Sequence, residues 1–166
     1  MKASRILWGI LAATCLAAPA AGGDAKTNAG WERMKSLIGR WEGTAEGHPV
    51  SLTYRLVSNG TTLMETMDMP GESEAMITMY HPDGGELVAT HYCAVGNQPR
   101  LRLRSAGDPG MLDFAFVDAT NLSDSSGEIM QRLVVTFQDP DHFQQTWTAK
   151  KDGKSQSSNF AYTRKR

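Results

Sequence analysis

The sequence predicts an all-β protein, a closed antiparallel up-and-down β-barrel of about ten strands behind a short N-terminal helix. Three observations carry that prediction. Beyond Gly39 the apolar residues recur with period two, as they do on half-buried strands. Turn signals interrupt the pattern at short intervals: Asn59-Gly60, Pro70-Gly71, Pro82-Asp83-Gly84-Gly85, Gly107-Asp108-Pro109-Gly110, Asp139-Pro140-Asp141 and Asp152-Gly153. A sheet that long also tends to curl and close, which removes its edges. A two-sheet sandwich is the alternative that the same pattern allows.

The elements follow in order. Residues 28–38 read as a helix with Trp31, Met34 and Ile38 on one stripe. Strands are expected near 40–47, 50–57, 62–69, 74–81, 86–93, 100–104, 111–117, 128–137, 142–150 and 155–164. The stretch from Thr120 to Gly127 is the long polar loop. The chain carries no internal repeat and no second-domain boundary, so residues 39–166 form one barrel.

The first 20 residues have a different purpose. Lys2 and Arg5 precede the apolar run Ile6 to Ala13, and Ala18-Pro19-Ala20 supplies a small-residue cleavage site. That is the layout of a secretory signal peptide, which predicts a periplasmic or secreted protein. The apolar run is too short to span a bilayer, which takes about 20 residues. Cleavage after Ala20 leaves 146 of the 166 residues and changes the formal charge from −1 to −3. The competing reading, a lipoprotein acylated at Cys15, fits less well because Ala12-Ala13-Thr14 is a poor lipidation box. Once Cys15 is removed Cys93 stands alone, and stability has to come from packing. The near-neutral charge speaks against a nucleic-acid partner, which would demand a dominant basic face.

Turn registers assign the faces. Asn59-Gly60 is a type I′ hairpin signal that sets Leu56 opposite Leu63, Tyr54 opposite Glu65 and Leu52 opposite Met67. The next turns align Met67 with Met76, Glu65 with Thr78 and Leu63 with Tyr80. The same inner face then continues through Leu87, Ala89, His91 and Cys93. One bulge would invert every later assignment. On the far side, Leu112, Phe114 and Phe116 share a face, as do Ile129, Gln131, Leu133, Val135 and Phe137. Trp147, Gln145 and Phe143 fall beside Ser158, Phe160 and Tyr162. Arg100, Arg102 and Arg104 face solvent.

The inner face is unusually polar for a filled barrel. A buried carboxylate and imidazole need partners, or a wet or ligand-filled space. The candidate ligand-binding residues are therefore Tyr54, Glu65, Met67, Met76, Tyr80, His91 and Cys93. Glu65 has an ordinary reading as a buried acid bonded to Tyr54 and an arginine, and Cys93 as a buried neutral thiol. Asn97 and Gln98 sit in a loop at the mouth, either offering amide donors or making turn bonds. No nucleophile elbow, phosphate loop, calcium loop or nucleotide fingerprint occurs. The four histidines are scattered, so neither a catalytic residue nor a metal site is assigned.

Gly39-Arg40-Trp41, opening the first strand after the helix, resembles the G-x-W signature of calycins, the superfamily of lipocalins and fatty-acid-binding and nitrobindin-like barrels. The resemblance implies that Trp41 plugs one barrel end and that Arg164 stacks across it as a barrel-end pair. The segment from Met79 to Arg100 also resembles exported bacterial lipocalin-like domains without an assigned activity. Nitrobindin-like barrels hold haem through a late-strand histidine. Here the last two strands carry only His142, at a turn, so haem is not carried over and no cofactor is expected.

The expected function is an exported binding or carrier barrel for a small, largely apolar molecule. One alternative is a haem-binding or enzymatic barrel using His91 with Glu65 or Cys93. Another is a structural domain with a solid core.

Overall fold

A computed structural model describes residues 25–166 except 46, 72, 73, 106, 107, 109 and 123–126. The expected signal peptide, Cys15 and part of the polar loop lie outside the described residues. Helix α1 (Ala25–Lys35) leads into strands β1 (Gly39–Ala45), β2 (His48–Val57), β3 (Thr62–Asp68), β4 (Met76–Asp83) and β5 (Glu86–Tyr92). Strands β6 (Gln98–Ser105), β7 (Met111–Thr120), β8 (Ile129–Asp139), β9 (His142–Lys151) and β10 (Lys154–Lys165) complete the chain. Each strand pairs antiparallel with its sequence neighbours, and β1 pairs with both β2 and β10, so the sheet closes into a ten-stranded barrel.

The hairpins follow their turn chemistry. Asn59 (φ 55, ψ 34) and Gly60 (φ 82) take up the left-handed conformations of a type I′ turn, closed by the Thr61 amide donating to the Ser58 carbonyl at 3.2 Å. Leu52–Met67, Tyr54–Glu65 and Leu56–Leu63 pair across β2 and β3, and Met67–Met76, Glu65–Thr78 and Leu63–Tyr80 across β3 and β4. Trp147–Ser158, Gln145–Phe160 and Phe143–Tyr162 pair across β9 and β10. All of these registers match the sequence expectation.

Three expectations need correction. The helix ends at Lys35 rather than Ile38, and the amides of Leu37 and Ile38 donate three residues back, to Met34 and Lys35. That tighter turn brings Leu37 into the core and leaves Ile38 41% exposed. Leu56 has the expected partner but lies 39% exposed near the end of β2, while α1 covers β4, β5 and β6 instead. In β8 a register shift between Met130 and Arg132 breaks the alternation. Met130, rather than Ile129 or Gln131, therefore packs against the core.

Helix α1 closes one end. Met34 and Leu37 are buried, and Gly30 lies so close to Leu103 that an added Cβ would stand 2.8 Å from its Cδ2. Trp41 is buried at the base of β1, edge-on to Phe143 with centroids 4.7 Å apart, and its indole N–H donates to the Leu37 carbonyl at 2.7 Å. The Arg164 guanidinium lies 4.1 Å above the Trp41 ring and donates to the carbonyls of Ser36, Ile38 and Pro140. One arginine thus ties the helix end, the plug and the β8–β9 turn together. On the outer surface Arg100 pairs with Asp118, Arg102 with Glu86 and Arg132 with Asp113. Two members of the basic stripe, Arg100 and Arg102, are thereby paired with carboxylates of the neighbouring strands.

Candidate functional site

The opposite end of the barrel holds a pocket of about 650 Å³, within the range of about 300–1,000 Å³ typical of small-molecule sites. Its wall is Met67, Met76, Met130, Trp147, Ala149 and Phe160. These come from β3, β4, β8, β9 and β10, whose ends converge at this mouth. Lys151, Asp152, Lys154 and Gln156 form an exposed rim. His91 on β5 lines the deep part, with its ring centroid 4.7 Å from that of Trp147.

Beneath the pocket lies a polar layer that the strand registers assemble. Glu65 is 1% exposed, and its Oε2 accepts from Tyr54 Oη at 2.5 Å, Tyr80 Oη at 2.8 Å and Gln145 Nε2 at 2.8 Å. Gln145 Nε2 also donates to Tyr54 Oη at 2.9 Å. Thr78 Oγ1 donates to Glu65 Oε1 at 3.4 Å and meets His91 Nδ1 at 3.0 Å. Burial raises the Glu65 carboxyl above its ordinary range, opposed by these hydrogen bonds. The same burial, with the carboxylate beside them, pushes both tyrosine hydroxyls well up, so they stay protonated as donors. His91 is lowered from 6.5 to about 4 by burial, so its ring is neutral at physiological pH.

The seven candidate residues therefore divide into three groups. Met67, Met76 and His91 line the pocket. Tyr54, Glu65 and Tyr80 are brought together below it as one hydrogen-bonded unit, with Gln145 and not an arginine as the fourth member. Cys93 lies apart from both, half-buried at the start of a turn, where its amide donates to the Asn97 carbonyl at 3.1 Å. Burial raises its thiol, which keeps it protonated. The neighbouring loop is held by one long-range bond and one turn bond. Asn97 Nδ2 donates to the Glu128 carbonyl at 2.7 Å and Gln98 Nε2 to the Gly96 carbonyl at 2.8 Å.

Sequence reasoning missed Met130, Ala149 and the pocket roles of Trp147 and Phe160. The Asp152-Gly153 hairpin already placed Trp147 and Gln145 inward, whereas the β8 bulge hid Met130. Among the described residues, no three His, Cys, Asp or Glu side chains cluster closely enough to hold a metal ion. The late strands give the pocket wall Trp147, Ala149, Ser158 and Phe160, and the lining histidine, His91, comes from β5.

No protein-family model matches the chain, and none of the curated proteins does. Solved structures do resemble it. Rv2717c from M. tuberculosis superposes with a TM-score of 0.54 at 13% identity, over 81% of this chain and 96% of that one. A protein of unknown function from the DUF3598 family of Nostoc punctiforme PCC 73102 gives a TM-score of 0.53 at 12% identity. That match covers 80% of this chain and 49% of the Nostoc protein, so the chain spans about half its length. At such identities the likeness concerns the fold alone.

Proposed function

We propose that this protein is a calycin-type binding or carrier barrel that holds one small, largely apolar molecule in its open end. A single observation carries the reading: a pocket of about 650 Å³ walled by methionines and aromatics over a floor in which nearly every polar group is already partnered. Methionine walls adapt to irregular apolar shapes, which suits a carrier. The signal-like N terminus supports an activity outside the cytoplasm. Terminal sequencing of the exported protein should begin at Ala21, and palmitate labelling lost in Cys15→Ala would instead establish a lipoprotein.

The pocket reading is tested by titrating the protein with an apolar naphthylamine dye whose emission rises in dry surroundings. Saturable binding is expected, abolished by Met130→Trp or Ala149→Trp, which fill the cavity from two strands. Binding that survives both substitutions would put the dye elsewhere and remove the reading. The competing haem or enzymatic reading through His91 is weakened because Cys93 stands outside the lining. A Soret band on haem titration, lost in His91→Ala, would establish it instead.

A further inference from the structure

Four buried side-chain polar atoms have no hydrogen-bond partner among the described residues: Arg33 Nε, His91 Nε2, Asn97 Oδ1 and Tyr162 Oη. Of these residues only His91 belongs to the pocket lining, and it is the one lining residue that is both polar and buried, at 3% exposure. Its other nitrogen is engaged by Thr78 at 3.0 Å. The Trp147 indole N–H is directed elsewhere, to Gln145 Oε1 at 3.4 Å. His91 therefore borders an apolar-walled pocket and carries, at that depth, a ring nitrogen that no protein group satisfies.

The protonation state of that atom follows from the network. A carboxylate at Glu65 draws the Thr78 hydroxyl proton toward Oε1. Thr78 Oγ1 is then an acceptor, His91 Nδ1 carries the ring proton, and Nε2 keeps its lone pair. An occupant able to donate a hydrogen bond satisfies that lone pair. One that cannot leaves it buried and unmet. Charge adds a second selection. Among the described residues no Lys or Arg is buried, Glu65 lies beneath the pocket, and Lys151 and Lys154 stand exposed on its rim. An anionic head group seated as deep as His91 would be desolvated near a buried acid and away from the rim lysines.

We propose that the occupant is a neutral apolar molecule bearing one hydroxyl group, a phenol or an alcohol, that donates to His91 Nε2. This rests on the pocket reading above and specifies its ligand. The test is competition against the naphthylamine dye by naphthol, methoxynaphthalene and naphthoate, which share a ring system and differ in the polar group. Naphthol should bind about tenfold more tightly than methoxynaphthalene, and naphthoate more weakly than either. His91→Phe should abolish the difference between the first two, each measured by direct titration of the variant. Should that variant fail to fold, the wild-type His91 Nε2 resonance in isotope-labelled protein should move with naphthol and not with methoxynaphthalene. Equal affinities, a preference that survives His91→Phe, or a resonance that ignores naphthol would overturn the hydroxyl assignment alone. Failure of the dye to bind the wild-type protein would overturn the pocket reading with it.

Discussion

Removing the acceptor at the centre of the polar layer tests whether that layer holds the barrel together. In Glu65→Leu the side-chain volume is nearly kept, but Tyr54 Oη and Tyr80 Oη lose the oxygen they approach at 2.5 and 2.8 Å. Gln145 keeps Tyr54 Oη as a partner at 2.9 Å, so two hydroxyl protons are left without an acceptor. Each unmet buried donor costs about 1–3 kcal/mol, and relief from burying a carboxylate offsets part of the sum. The expected net loss is about 3 kcal/mol. Glu65→Gln should behave differently. Its amide oxygen can take the Oε2 position and accept from all three donors, and its NH₂ can donate to Thr78 Oγ1, for a change within about 1 kcal/mol. The sign of the pH dependence separates the acid from its amide further. Burial raises the Glu65 carboxyl in the fold, so above its ordinary value of 4.5 the unfolded chain loses a proton that the fold retains. Wild-type stability falls through that window as pH rises, and Glu65→Gln gains on wild type over the same interval. Urea unfolding followed by tryptophan emission measures both effects, and the leucine variant should lower the midpoint by about 1–2 M. A leucine variant as stable as wild type, or a glutamine variant as damaged as leucine, would refute the reasoning.

Three further outcomes are expected. His91 is held neutral in the fold down to about 4 but titrates at 6.5 when unfolded, so it withdraws stability as pH falls through that window. The loss amounts to about 3 kcal/mol at about 1.4 kcal/mol per pH unit, and melting temperatures of His91→Phe should be correspondingly flatter between those pH values. Arg164→Met removes three carbonyl bonds and the stack on Trp41 at 4.1 Å, and should cost about 2–4 kcal/mol by chemical denaturation. Arg164→Lys should restore only part of this, because an ammonium cannot span the same fork. Gly43→Ala should cost about 1–3 kcal/mol in melting experiments, since its Cβ would stand 2.2 Å from the Ala161 carbonyl oxygen on the strand that closes the barrel.

The fold was legible because each hairpin carries its own register. Asn59-Gly60 alone determines that Tyr54 faces Glu65, and the β3–β4 connection and the Gly84-Gly85 turn bring Thr78 and His91 to the same face. Reading from turns fails where no turn reports. The β8 bulge lies inside a strand, between Met130 and Arg132, and no residue type announces it. Depth along a strand was equally silent. Alternation says that Glu65 and Met67 point inward, but not that one lies under the floor and the other on the wall. Cys93 shows the same limit from the other side, since it shares the parity of His91 yet falls where the strand has given way to a turn.

Depth matters because it divides the barrel into two unlike halves. Below the polar layer the interior is filled by α1 and by Trp41, Phe143 and Tyr162, with Phe143 and Tyr162 stacked 4.9 Å apart. Above it the side chains shorten toward Ala149 and Ser158, and a ten-stranded barrel is wide enough that these leave a cavity. A floor of apolar side chains could slide into that cavity. A floor cross-braced from β2, β3, β4 and β9 by hydrogen bonds converging on one carboxylate resists collapse, because each shift leaves a buried donor unmet. Glu65 is thus better placed to hold the pocket open than to act inside it. The link from the floor to the cavity then runs through Thr78 to the one imidazole that borders both.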